Sequence, residues 1–330
     1  MPELYPLLLL PEFRERVWGT RDLSLIFPHK TARKGGGFEQ PIGEVWLTGD
    51  DCRVANGALA GQTLHDVCRR FGAEFVGDAS PDASRFPLLV KFLFPKEKLS
   101  VQVHPDDDGA RALGQPCGKT ECWYVLAAEP GAEVALGLKP GVTREQVEKA
   151  IAETRLELLM NWVPVRPGEM IYVDAGTVHA IGPGSVLVET QQNSDITFRL
   201  YDYGRPRELH VREGLGAMKE KTHAGKVARA GDNGWAKLVS SPSFTVDKLV
   251  VREPIELAAG PGKSSAQVLV ALDGGGVLEV EGMAPVTIAK GETVVVPAGI
   301  RRYRLRPQWA LECLRAMLPG EATPHPQTTI

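Results

Sequence analysis

The chain reads as a mainly β protein built from two copies of one β module. Composition is the first reason: 35 glycines and 25 prolines among 330 residues favour many short strands joined by turns over long helices. Short apolar or alternating runs such as Ile42–Leu47, Leu88–Phe94 and Ser100–Pro105 are the second. The third is an internal repeat. Gly168-Glu169, four further residues, Asp174-Ala175-Gly176, two residues and His179 recur as Gly291-Glu292, four residues, Pro297-Ala298-Gly299, two residues and Arg302. The copies differ at the last position, and the second has no Gln-x-His. A metal is therefore expected in the first module only. Residues 1–225 should form that module, with a helical insertion near 143–159, and 226–330 the metal-free second one. Residues 208–234, rich in charge and glycine, read as the linker.

Taken in order, residues 11–30 open with a short helix expected around Phe13–Trp18, and Lys34-Gly35-Gly36-Gly37 reads as a flexible loop near a cavity mouth. No GxxxxGK[ST] pattern follows it, which argues against a phosphate-binding loop. Ile42–Leu47 is expected as the first strand. Leu64, Val67, Cys68 and Phe71 have helical spacing. Leu88–Phe94 is nearly continuous in apolar character, as a strand buried on both faces would be. A turn at Pro95–Lys98 should join it to the next strand as a hairpin. Asp106-Asp107-Asp108 suit the start of a short helix, where carboxylates cap free amides and complement the helix dipole. Thr143-Arg144-Glu145-Gln146 fits a capping box, and Val147, Ala150 and Ile151 give the following helix, expected to reach about Leu159, one apolar face.

The chemistry centres on Ser100-Val101-Gln102-Val103-His104-Pro105, followed by Glu121 and, much later, His179. Alternate strand residues share a face, so Gln102 and His104 point one way and Val101 and Val103 the other. An amide oxygen, a carboxylate and two imidazoles converging on one point make a site for one divalent transition metal per chain, zinc best of all. The net charge of −3 gives no reason to expect nucleic acid or an anionic membrane as partner. The apolar run after Met1 is short, with no basic flank and no small-residue cleavage site, so neither a signal peptide nor a membrane span is expected there. Five cysteines, odd in number and without a CxxC pair, suit reduced thiols and a cytoplasmic location.

Gly-x5-[Pro/Asp]-x-Gly-x2-His resembles a motif of the cupin superfamily, small double-stranded β-helix (jelly-roll) barrels that hold a metal between strands. Four ordered segments are similar to one cupin family, the type I mannose-6-phosphate isomerases in their compact bacterial form. They are Leu99–Asp107, Gly118–Tyr124, Ala175–Gly182, and Glu189–Asp195 leading to Arg199. The resemblance covers nearly the whole chain and implies two cupin barrels and reversible isomerisation of mannose 6-phosphate and fructose 6-phosphate. It places the zinc ligands at Gln102, His104, Glu121 and His179. It implies Arg199 near the reacting carbons, Lys119 as a catalytic and substrate-binding residue near the sugar phosphate or ring oxygen, Ser100 in the phosphate region, and Glu189 and Asp195 as acid/base candidates, with the choice between them open. Where some members carry a second lysine, this chain has Arg205, which keeps the charge and, with Lys119, can pair with the phosphate, but does not readily act as a base. The long helical insertion of larger members is missing. The expected partner is a small sugar phosphate, for a monomer or weak homo-oligomer. A catalytically idle sugar-phosphate-binding cupin is the alternative, and a cupin dioxygenase would favour a histidine-richer site.

Overall fold

The structure, a computed structural model, describes residues 4–28, 38–228, 234–259 and 262–330. The Lys34–Gly37 segment lies outside them. The described strands pair antiparallel throughout and form three sheets. The mainly β expectation holds.

The large sheet of the first half runs Glu12–Thr20, Ile42–Trp46, Leu88–Leu93, Ser185–Gln192, Glu121–Ala128, Met170–Val173, Gly225–Val227 and Thr328–Thr329 in spatial order. Facing it is a five-stranded sheet of Phe198–Tyr201, Val101–Val103, His179–Ile181, Glu133–Leu138 and Met160–Pro164. Trp123, Val125, Ile171 and Leu187 from the first meet Val134, Leu136 and Ile181 from the second in one apolar cluster. The third sheet belongs to the second half and is built on Gln267–Glu279 and Arg302–Met317. Its Val268, Val270, Val295 and Leu314 pack with Phe92, Tyr124, Tyr172 and Val188 of the large sheet. The large sheet is thus covered on both faces, which is why Leu88–Leu93 is buried at every residue. Each Phe or Leu fully buried there contributes about 1.5–3 kcal/mol.

The two chain ends cross between halves. Leu7–Leu9 pairs with Thr293–Val296 in the second-half sheet, and Thr328–Thr329 pairs with Lys226 and Val227 in the first-half sheet. The two copies of the repeat fold alike. Gly168 and Gly291 take φ of +86° and +81°, each just before a strand, Met170–Val173 and Thr293–Val296. The next strands then start at His179 and at Arg302. Positive φ at both turns is why glycine opens each copy.

Four expectations are corrected. Phe13–Trp18 is strand, part of Glu12–Thr20, with Phe13 opposite Val45 and Arg14 opposite Glu44. Pairing along Ile42–Trp46, together with the packing of Phe13 on Phe27 and Phe38, outweighs the segment's mixed composition. Leu88–Leu93 and Val101–Val103 do not form a hairpin. The first already pairs on both edges, with Ile42–Trp46 and Ser185–Gln192, so the chain crosses to the other sheet instead. The supposed linker is also structured, holding the helix Val211–Ala217 and the strand Gly225–Val227. Buried Leu215 anchors that helix, and Gly214 packs so closely that an added Cβ would sit 2.5 Å from Leu200. The helix after Thr143 ends at Ala152 rather than near Leu159: Thr154 turns to φ +56°, the Thr154 and Arg155 amides bond back to Ile151 and Ala150, and a separate 3-10 turn spans Leu156–Leu159. The other helix starts follow the sequence. Thr63 and Thr143 both make capping boxes, and Asp106 accepts from the Gly109 amide ahead of Asp107–Ala112. No described helix is long and apolar enough to cross a membrane.

Candidate active site

Register brings the site together. In the five-stranded sheet Gln102 lies directly opposite His179 on one side and Arg199 on the other. In the large sheet Glu189 stands between Lys91 and Trp123, and Glu121 opens its strand beside Gln191 and Val173. The two rows face each other across a cavity of about 510 Å³, whose lining includes Ser100, Gln102, Lys119, Glu189, Asp195 and Arg199.

His104, Glu121 and His179 are almost fully buried and form a cluster with metal-ligand spacing. Glu121 Oε1 is 3.2 Å from His179 Nε2, and Oε2 is 3.6 Å from His104 Nε2. The Gln102 amide lies 3.2 Å from His179 Nε2, and a half-turn about its last side-chain bond presents the oxygen to the same place. Each imidazole is oriented from behind: His104 Nδ1 is 2.8 Å from the Ile196 carbonyl, and His179 Nδ1 is 2.9 Å from that of Thr177. Carbonyls there take the Nδ1 hydrogens and leave both Nε2 atoms as lone-pair donors, the usual arrangement behind a metal. Burial, with Lys119 next, pushes His104 well below the usual imidazole range, and burial brings His179 down to about 4. Both rings are therefore neutral at pH 7, the form that ligates. His104 Nε2 and both Glu121 oxygens are buried without hydrogen-bond partners. Buried polar atoms are rarely left so, and this donor set fits a divalent cation.

Beside the cluster, Lys119 Nζ is 3.4 Å from Glu121. Glu189 accepts from Lys91 at 2.8 Å and from the Trp123 indole at 3.2 Å. It lies within the strand Ser185–Gln192 rather than on an irregular stretch, while Asp195 is exposed in the loop that follows. Burial raises the Glu189 pKa, with Lys91 opposing. Arg199 donates to the Glu208 carbonyl, and its Nε has no hydrogen-bond partner. Arg205 does not line the cavity. Its guanidinium is taken up by Glu97, Asp202 and the Lys98 carbonyl. Arg207 lines the cavity instead, held by two bonds to buried Asp202.

Among the cavity residues that escaped the sequence reading are Lys91, Glu44 and Arg207. For Lys91 a signal existed, since a lysine inside a continuously apolar strand must find a buried partner. Burial would raise Glu44, but Lys91, Arg16 and the Trp46 indole outweigh it and bring it to about 2. A carboxyl depressed in the folded state stabilises above its unfolded value of 4.5, and that contribution is lost as pH falls through about 2. Glu44→Gln is accordingly expected to flatten the loss of stability between those limits. Urea midpoints measured across that range check it, and parallel curves for parent and variant would count against the Glu44 pairing.

Residues 7–138 match the family model of the phosphomannose isomerase type I catalytic domain. The chain is 36% identical over 259 residues to a probable mannose-6-phosphate isomerase of Bacillus subtilis, covering 74% of this chain and 79% of that protein. It is 32% identical over 320 residues to the mannose-6-phosphate isomerase of Streptococcus mutans, covering 91% and 94%. The fold superposes on the crystal structure of the mannose 6-phosphate isomerase from Bacillus subtilis with a TM-score of 0.82, at 29% identity, over 95% of this chain and 99% of that one. Sequence likeness along nearly the whole length, on a matching fold, places this chain in the type I mannose-6-phosphate isomerase family.

Proposed function

We propose that the chain interconverts D-mannose 6-phosphate and D-fructose 6-phosphate. The observation that carries this is a buried ligand set with unsatisfied donors, reached through Gln102 and Lys119 from a cavity that a buried carboxyl, Glu189, and an arginine, Arg199, also line. Gln102, His104, Glu121 and His179 would hold one zinc ion, which supplies Lewis-acid polarisation of the sugar oxygens when bound. Aldose–ketose exchange moves a proton between C1 and C2 through an enediolate. Arg199 places fixed positive charge where that enediolate forms. Glu189, a buried carboxyl at the cavity wall whose pKa burial raises, is suited to exchanging that proton. Asp195, on the cavity rim, is the second carboxyl in reach. Ser100, Lys119 and Arg207 bind the phosphate by charge-assisted hydrogen bonds, a part that passes from Arg205 because that side chain is engaged outside the cavity.

The same reading assigns the site to a cupin module of residues 1–225, and to 226–330 a second cupin module without metal. Arg315 and Asp247, 2.6 Å apart and buried, occupy the second module's sheet, while Arg302, at the position matching His179, is exposed. Unpaired cysteines suit a cytoplasmic enzyme. The deciding experiment measures fructose 6-phosphate formed from mannose 6-phosphate before and after chelation, with zinc and then other divalent metals restored. Activity lost and regained is the expected result. No turnover with any metal, despite one bound per chain, would leave a sugar-phosphate-binding protein.

A further inference from the structure

The repeat motif contains a position that the isomerase site does not use. Asp174, where the second copy has Pro297, is buried, and it meets two histidines from distant parts of the chain. Asp174, His223 and His325 each offer one ligand atom, all within 4.8 Å of one another. They lie just outside three strands that are neighbours in the large sheet: Met170–Val173, Gly225–Val227 and Thr328–Thr329.

The cluster is held in place by its surroundings. Asp174 accepts from the His223 backbone amide at 2.9 and 3.0 Å and from the Thr177 hydroxyl at 3.0 Å. A carboxylate has about four lone-pair sites, so capacity remains. His325 Nδ1 is 3.0 Å from the Tyr172 hydroxyl, the kind of outer contact that orients a metal-ligating imidazole. The His223 ring makes no hydrogen bond among the described residues, and it stacks on His325 with centroids 4.3 Å apart and planes 9° from parallel. The cation near this group, Lys219, is paired with Asp106 at 2.6 Å. Both histidines are exposed, so water reaches the site.

We propose that Asp174, His223 and His325 form a second, solvent-open site for a late first-row divalent cation such as zinc or nickel, with water completing the coordination. One carboxylate and two imidazoles are the ligands such ions take. Occupancy would fasten the C-terminal strand Thr328–Thr329 to the first-half sheet, since His325 lies just before it.

The test uses the untagged full-length protein already holding one equivalent of zinc, titrated with zinc and, separately, with cobalt followed by its visible absorption. A second equivalent is expected, bound at least about tenfold more weakly in Tyr172→Phe, where only the outer hydroxyl is lost. It should disappear in His325→Ala and in His223→Gln while the first equivalent stays. Both histidines are exposed, so neither change threatens folding, and circular dichroism verifies that. A parent that stops at one equivalent, or a second equivalent that survives both histidine substitutions, would overturn the site.

Discussion

The Glu121→Ala chain is expected to leave a desalting column without its metal and to turn over mannose 6-phosphate at least ~10³-fold more slowly than the parent. Glu121 is the one anionic member of the proposed ligand set, 3.2 Å from His179 and 3.6 Å from His104. Without it, an amide and two neutral imidazoles remain, with the Lys119 ammonium close by and no anionic ligand to balance a dication. The loss should be in turnover more than in substrate affinity, because Ser100, Lys119 and Arg207, the proposed phosphate partners, still line the cavity. Metal content and initial rates measured on one preparation check both halves. A full metal complement with a rate within tenfold of the parent would remove Glu121 from the ligand set.

Lys91→Met should destabilise the protein by about 3–5 kcal/mol, the cost of leaving a buried carboxylate without its partner. Lys91 and Glu189 are each about 4% exposed and 2.8 Å apart, with Glu44 at 3.9 Å from the same ammonium. Burial alone would lower the lysine's pKa, but the carboxylates of Glu189 and Glu44 outweigh it and raise it. Removing the ammonium also lifts Glu189 further, since Lys91 is what opposes burial there. Much of the lost stability should return in Lys91→Met combined with Glu189→Gln, which removes the stranded charge. Denaturant unfolding of the two single variants and the double variant makes the comparison. Equal stability of Lys91→Met and parent would mean that the pair contributes nothing.

Much of the candidate site, whose four proposed ligands the structure brings together, was legible because it follows short-range rules. Strand alternation puts Gln102 and His104 on one face, and ligand chemistry selects Glu121 and His179. What escaped depends on which strands become neighbours. Lys91 and Glu44 reach the cavity through the pairing of Ile42–Trp46, Leu88–Leu93 and Ser185–Gln192, which no local pattern encodes. Arg205 and Arg207 are two residues apart and similar in kind, yet contacts with Glu97 and the Lys98 carbonyl hold one outside while Asp202 holds the other at the cavity wall. The Phe13–Trp18 strand was missed for the same reason, since its conformation is decided by the partner strand. The capping boxes at Thr63 and Thr143, which are purely local, were readable in full.

The crossing of the chain ends bears on how the protein is made. Leu7–Leu9 emerges from the ribosome early, but its partner strand Thr293–Val296 follows only after a further ~15–60 s of translation at ordinary rates. During that interval three consecutive leucines wait without a sheet, and the apolar face that Phe92, Tyr124 and Tyr172 present to the second half stands uncovered. Pairing of the two end strands then acts as a latch on both halves, since each contributes a strand to the other's sheet.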